Sequence, residues 1–296
     1  MNRNITMTLL DKRIEEDLRD LYNNGRINGI ISAAEKLQRV IKGGVSTKGL
    51  PGHFTGKRSA ETVFVTLNPG QDVANADINT KNQIRLLKID DHSTDINFIS
   101  TYMNARIDLG NRIKGSAFDV KQARFLKEWK NSGIIFPLGF PSDSKTFREA
   151  KKIVLLEKLQ LELVPYCSKN FDINNEVIND LLPFIEILFD EIFNSKRTYV
   201  IFASAKFESL FKLYQNKENA PYSIILNSAL PEKELVISKK KRIMQSHCRV
   251  CKIIRKSDNK SIKSIIAHTY PYQRLNGDNM SIYGKFCYTI FNKTVI

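Results

Sequence analysis

Thr62-Val63-Phe64-Val65-Thr66-Leu67-Asn68-Pro69-Gly70-Gln71 is a run of apolar and β-branched residues that stops abruptly at a turn. A continuous run of this kind, too short for a helix, reads as a strand buried on both faces. Asn68-Pro69-Gly70 ends it, because proline fixes φ and glycine accepts the conformations a tight turn needs. Three more runs share the pattern: Leu159 to Val164, stopped by Pro165; Thr198 to Phe202, closed by Ala203-Ser204; and Ser264 to Ala267, ending at His268. Amphipathic spacing between them predicts helices at Asp119–Trp129 (capped by Asp119), Phe147–Leu156, Glu176–Phe193 with a kink at Pro183, and Lys206–Tyr214. A final helix is expected near Tyr283–Phe291. Strands alternating with helices predict a three-layer α/β/α fold around a central four-stranded parallel sheet.

Open sheets of this type bind ligands in the crevice beyond the carboxyl ends of their strands. Here those ends carry Asn68, Pro165-Tyr166, Ser204 and His268. Ahead of the first strand, Ile14, Leu18, Leu21 and Tyr22 recur at helical spacing, as do residues from Ile30 to Ile41, and Lys48 to Gly56 reads as a loop. Residues 1–58 are therefore expected as a helical segment packed on the core, and 59–296 as the α/β domain. Tyr222–Leu226, Glu234–Ile237 and Arg249–Ile254 suggest antiparallel strands. Lys239-Lys240-Lys241-Arg242 falls at a turn between them, which makes a basic antiparallel hairpin insertion.

The chain of 296 residues carries 46 Lys and Arg against 31 Asp and Glu, for a net charge of +15. From Pro231 onward there are fourteen basic residues and four acidic ones. A field this lopsided attracts a polyanion and makes binding salt-dependent, so the expected partner is DNA, double- or single-stranded. No apolar run is long enough to span a membrane, nor does the opening segment read as a signal peptide. A cytoplasmic location is expected, with the four cysteines reduced.

The first motif, Val63 to Gln71, resembles that of the uracil-DNA glycosylase superfamily, in which a hydrophobic strand runs into a Gly-x-Asn-Pro-Gly or Gly-Gln-Asp-Pro loop. The family's second motif is a histidine or asparagine directly after the last core strand, followed by a loop that enters the minor groove. Ile266-Ala267-His268-Thr269-Tyr270-Pro271-Tyr272-Gln273-Arg274-Leu275 is similar to it. The resemblance implies a monofunctional, cofactor-free DNA glycosylase that hydrolyses the N-glycosidic bond of a flipped-out uracil, mismatched or modified base. On this chain Asn68 would hold the attacking water, and Asp72 could add a carboxylate. His268 would hydrogen-bond the base carbonyl as charge builds there, a contact worth about 2.7–4 kcal/mol in other enzymes. Thr66, Gly70, Gln71 and Tyr166 would line the base pocket, Gly70 because a Cβ would crowd the base. Tyr272, Arg274 and Leu275 would wedge into or grip the duplex, and Lys239, Lys240, Lys241 and Arg242 would contact phosphates.

The sequence departs from the family at Thr66, where a glycine is usual. It departs again at His268-Thr269-Tyr270, where His-Pro-Ser is usual, and at Val164-Pro165-Tyr166, where uracil-specific members have an asparagine. These departures leave a different or modified base open as the substrate beside uracil. The alternative is a nucleic-acid-binding protein that has the same fold without catalysis. A small-molecule hydrolase using the same crevice would have no need of the basic tail. Roles in DNA repair and in defence against phage DNA both fit a glycosylase. Cys248 and Cys251 form C-x2-C, but three apart on a strand they would face opposite sides. No metal site is therefore expected.

Overall fold

The computed structural model describes residues 7–27, 45, 47–48, 51–67, 117–129, 134, 150, 153, 157–167, 181–227, 235–239, 242–268 and 278–296. The strands are β1 (Phe54–Gly56), β2 (Thr62–Thr66), β3 (Leu159–Glu162), β4 (Tyr199–Phe202), β5 (Tyr222–Leu226), β6 (Leu235–Lys239), β7 (Arg242–Ser246), β8 (Cys248–Arg255) and β9 (Ser261–Ala267). The helices are α1 (Leu9–Asn24), α2 (Ala117–Leu126), α3 (Leu182–Phe193), α4 (Lys206–Gln215) and α5 (Asp278–Lys293). The fold is mixed α/β. Seven strands form one sheet in the order β1-β3-β2-β4-β9-β8-β5, and β6-β7 is a separate two-stranded ribbon.

The four strands expected from sequence stand side by side in that order as β3-β2-β4-β9. β2 pairs parallel with β4, and β4 parallel with β9. The sheet is nevertheless wider than four strands and mixed in sense, because β9 pairs antiparallel with β8 and β8 antiparallel with β5. The reason is local. Arg255 Nε and Nη2 donate to Asp258 at 3.0 and 2.6 Å, and Asn259 takes φ 55°, so a tight polar turn returns the chain beside itself. The last core strand thus begins at Ser261, and β6 extends to Lys239 with β7 beyond it. Lys48–Gly56, read as loop, contains β1.

The chain forms two compact units. The first takes residues 1–54, 67–109 and 161–194, the second 55–66, 110–160 and 195–296.

In the first unit, α1 begins at a capping box: Thr8 Oγ1 accepts from Asp11 N, and the Asp11 carboxylate accepts from Thr8 N. It ends at Gly25, whose φ of 65° is the left-handed conformation that terminates helices. Leu10, Ile14, Leu18 and Leu21 are buried, as are Phe184, Ile185, Leu188, Phe189 and Ile192 of α3. Leu9 N donates to Asp190 Oδ2 at 2.8 Å and ties the two helices together. Pro183 does not kink a helix. It lies in the first turn of α3, where its missing N–H has no intrahelical partner to lose.

In the second unit the sheet has helices on both faces. Phe64, Tyr199, Ile201, Ala203, Cys248, Val250, Ile265 and Ala267 form one core with Phe125, Leu126 and Trp129, and with Met280, Tyr283, Cys287 and Phe291 of α5. On the other face Phe202 meets Phe207 and Phe211 of α4 at ring distances of 5.1 and 4.8 Å. Helix α2 starts at Ala117, two residues before the expected cap, which leaves Asp119 in its first turn. It crosses α5 so closely that a Cβ on Gly284 would lie 2.0 Å from the Phe125 carbonyl oxygen.

Candidate functional site

The register of the second unit places four strand positions on one level: Val65 of β2, Phe202 of β4, Ile266 of β9 and Arg249 of β8. Because β2, β4 and β9 are parallel, all three present their carboxyl ends at the same rim. Antiparallel β8 presents its amino end there. Two residues past that level stand Ser204 and His268, with His247 leading into β8. Ser204 is 8 % exposed, and its Oγ accepts from Lys206 N at 3.2 Å in the turn that starts α4.

His268 is held by residues from two other elements. Its Nε2 lies 3.0 Å from Glu208 Oε2, in the first turn of α4, and Arg249 Nε approaches the same oxygen at 3.1 Å. Lys212, one turn along α4, meets Glu208 Oε1 at 2.7 Å. Arg249 also donates from Nη1 to the Asn227 carbonyl at 3.2 Å. The side chains of His268, Glu208 and Arg249 are 16, 13 and 17 % exposed, so the cluster is largely withdrawn from water. Neither His268 Nε2 nor Arg249 Nε is aligned with an acceptor among the described residues. Arg249 meets the carboxylate as a charge contact, whereas the His268 ring meets it as a close polar contact that carries charge only when the imidazole is protonated.

Burial is the largest influence on His268 and lowers its pKa. The Glu208 carboxylate opposes that in part, and the charges of Arg249 and His247 add to the lowering. The balance favours the neutral imidazole near pH 7. For Glu208, burial pushes the carboxyl upward. The Lys212 hydrogen bond and the charges of Arg249, His268 and Lys212 outweigh it and hold the group below its ordinary value. The rim therefore offers a neutral imidazole next to a fixed carboxylate and a fixed guanidinium. Such a set can orient a water, polarise an oxygen or exchange a proton.

Of the residues expected at the site, Thr66 closes β2 and is 5 % exposed, and His268 follows β9 two strands away. Tyr166 belongs to the first unit and is 1 % exposed. Its hydroxyl donates to Asp17 Oδ2 at 3.0 Å and accepts from Arg13 Nη2 at 3.0 Å, while His53 Nε2 lies 2.8 Å from Asp17 Oδ2. Burial and the Asp17 carboxylate raise its pKa well above the ordinary value. Tyr166 is thus a member of a closed buried network and presents no open ring face for stacking. Lys239 and Arg242 are register partners in the backbone pairing at the end of the β6–β7 ribbon. Asn68, Gly70, Gln71, Asp72, Lys240, Lys241, Tyr272, Arg274 and Leu275 lie outside the described residues.

Cys167, Cys248, Cys251 and Cys287 are buried free thiols. Cys248 belongs to the core under α5, whereas Cys251, three positions along the same strand, projects from the opposite face. Burial raises the Cys251 thiol far above its ordinary pKa. Among the described residues no group of three or more His, Cys, Asp or Glu converges on a metal position. Nor is any described helix long and apolar enough to cross a membrane.

Sequence reasoning missed Glu208 and Arg249. Glu208 carried one local signal, an acid in the first turn of a helix that follows a strand. Arg249 carried none, since only the pairing of β8 with β9 brings it to the rim. No protein-family model, curated protein or solved structure matches the chain.

Proposed function

We propose that the protein is a DNA glycosylase of the uracil-DNA glycosylase type, acting on a base flipped into the crevice at the carboxyl ends of β2, β4 and β9. The observation that carries this reading is the level of His268. It stands at the same rim as the end of β2, and Asn68 is the second residue beyond Thr66. Strands lie about 4.8 Å apart and β4 stands between β2 and β9, so the ends of β2 and β9 are about 10 Å apart across the rim, a span that one nucleobase and a water cover when seated beyond the end of β4. Helices on both faces of the parallel strands, and the net charge of +15, support the reading further. In this reading Asn68 orients the attacking water, His268 contacts the departing base, and Arg249 adds positive charge where the base becomes anionic. The enclosed hydroxyl of Tyr166 lends no support to a stacking role.

The test is incubation with duplex and single-stranded oligonucleotides containing uracil, thymine mismatches and modified bases, followed by alkaline cleavage of abasic sites. Strand breaks that disappear in Asn68→Ala and His268→Ala are expected. Tight binding of every substrate without breaks would instead favour the binding module that has the fold without the chemistry.

A further inference from the structure

Cationic side chains gather at the end of the second unit remote from His268. β8 and β9 form a long hairpin in which Lys252 directly faces Lys263, and β5 sets Ile225 opposite Lys252. Directly opposed residues project from the same face of a sheet, so Ile225, Lys252 and Lys263 form one row across three strands. Val250 and Ile265, two positions along on that face, are covered in the core with α5. The row lies at the margin of that cover, with Lys263 Nζ 4.6 Å above the Phe291 ring near the end of α5. Ile225 is 45 % exposed. The turn beyond adds exposed Lys256 and Lys260.

Two like charges directly opposed on an antiparallel pair repel each other and weaken the sheet. The nearby acid is not free to relieve them, because Asp258 is taken by Arg255 at 2.6 Å and Lys260 at 3.5 Å. Among the described residues no ion pair reaches Lys252 or Lys263. Burial already lowers the Lys263 pKa, which a bound anion would reverse.

We propose that the Ile225–Lys252–Lys263 row is a second nucleic-acid contact, in which the two opposed ammonium groups share a backbone phosphate. Opposed Cα atoms of an antiparallel pair are about 5 Å apart, so both side chains can reach one phosphodiester. An anion between them turns the repulsion into attraction. Lys263 is five residues before His268, which puts the contact about 17 Å along β9 from the rim. The choice of nucleic acid over an anionic membrane rests on the glycosylase reading of that rim, and on the presence of Ile225 as the row's one exposed apolar side chain, too little to insert into lipid.

The experiment compares the whole protein with its Lys252→Gln/Lys263→Gln variant by fluorescence anisotropy on a duplex with no modified base, across a salt series. Losing one phosphate contact should reduce the slope of log Kobs against log salt by about 0.9, equivalent to about eightfold weaker binding at 0.1 M salt. An unchanged slope overturns the proposal. So does a variant that retains the DNA slope but loses binding to phosphatidylserine vesicles. Lys252→Gln alone should melt no lower than the parent, since it removes repulsion, and a clear fall in Tm would make the lysine a fold element instead. Because the duplex offers nothing to excise, a reduced slope in a protein without glycosylase activity leaves this contact standing while the chemistry falls.

Discussion

Gly284→Ala asks whether α2 and α5 meet as closely as described. Inside a helix, exchanging glycine for alanine ordinarily stabilises by about 1 kcal/mol, because alanine loses less backbone entropy. Here the new Cβ would stand 2.0 Å from the Phe125 carbonyl oxygen, 2.8 Å from its carbon and 3.0 Å from its Cα. All three are backbone atoms, so no rotamer change relieves the clash. The helices must part by at least about 1 Å, which loosens the Phe125–Tyr283 edge contact at 5.6 Å and the Trp129–Phe291 contact at 5.7 Å. Overpacking a core costs about 1–3 kcal/mol, and a rigid backbone obstacle belongs at the upper end. Set against the propensity gain, the net loss is about 2 kcal/mol, or about 4–8 °C in Tm. Trp129 is the single tryptophan and sits in this cluster, so its fluorescence follows the unfolding of this unit without interference. A variant that melts at or above the parent would refute the crossing geometry.

The buried clusters carry three electrostatic predictions. His268 has a folded-state pKa below its value in the unfolded chain, so the unfolded state binds more protons as pH falls below about 6.5. That part of the stability is present above the window and lost through it, and His268→Gln should flatten the acid side of a Tm–pH profile. In Glu208→Gln the imidazole loses the carboxylate that raises its pKa, so His268 should titrate at still lower pH by NMR, and an upward shift would contradict the contact at 3.0 Å. In the first unit, the Asp17 carboxylate is fully enclosed and meets Arg13 at 2.8 Å, His53 at 2.8 Å and the Tyr166 hydroxyl at 3.0 Å. Asp17→Ala leaves these donors without their acceptor and should cost about 3–5 kcal/mol in a urea melt, whereas a loss below about 1 kcal/mol would show that the network contributes little.

What the sequence could reveal was set by how local the determining forces are. Val63-Phe64-Val65 and Val200-Ile201-Phe202 are apolar without alternation because both faces of their strands are covered, and that cause is visible in the run itself. His268 was legible for a similar reason, as the first polar residue after such a run. β6 and β7 mix lysine, arginine and serine with isoleucine and methionine, which blurs their period: the sequence points to a strand over Glu234–Ile237 only and shows none at Arg242–Ser246. Spacing alone makes Pro183 a kink, because it does not show where the helix starts relative to the proline. Tyr166 shows the deeper difficulty. A tyrosine after a strand-ending proline looks like a rim residue, and only Asp17, 149 positions away, draws its hydroxyl inward.

The pairing sense of β8 determines what kind of rim His268 occupies. Were β8 parallel to β9, its carboxyl end would lie beside His268 and Arg249 would stand at the far edge of the sheet. Running antiparallel, β8 brings Arg249 level with Ile266, on the face that α4 covers, where Glu208 can reach both the guanidinium and the imidazole. A slip of one residue would turn Arg249 into the core under α5 and move Val250 out of it, putting a charge where a 2 % exposed apolar side chain packs. Val250 and Cys248 therefore fix the register by burial, and the register in turn fixes the guanidinium at the rim. The same hairpin sets Lys252 against Lys263 at its other end, so one packing constraint positions the cations at both ends of β9.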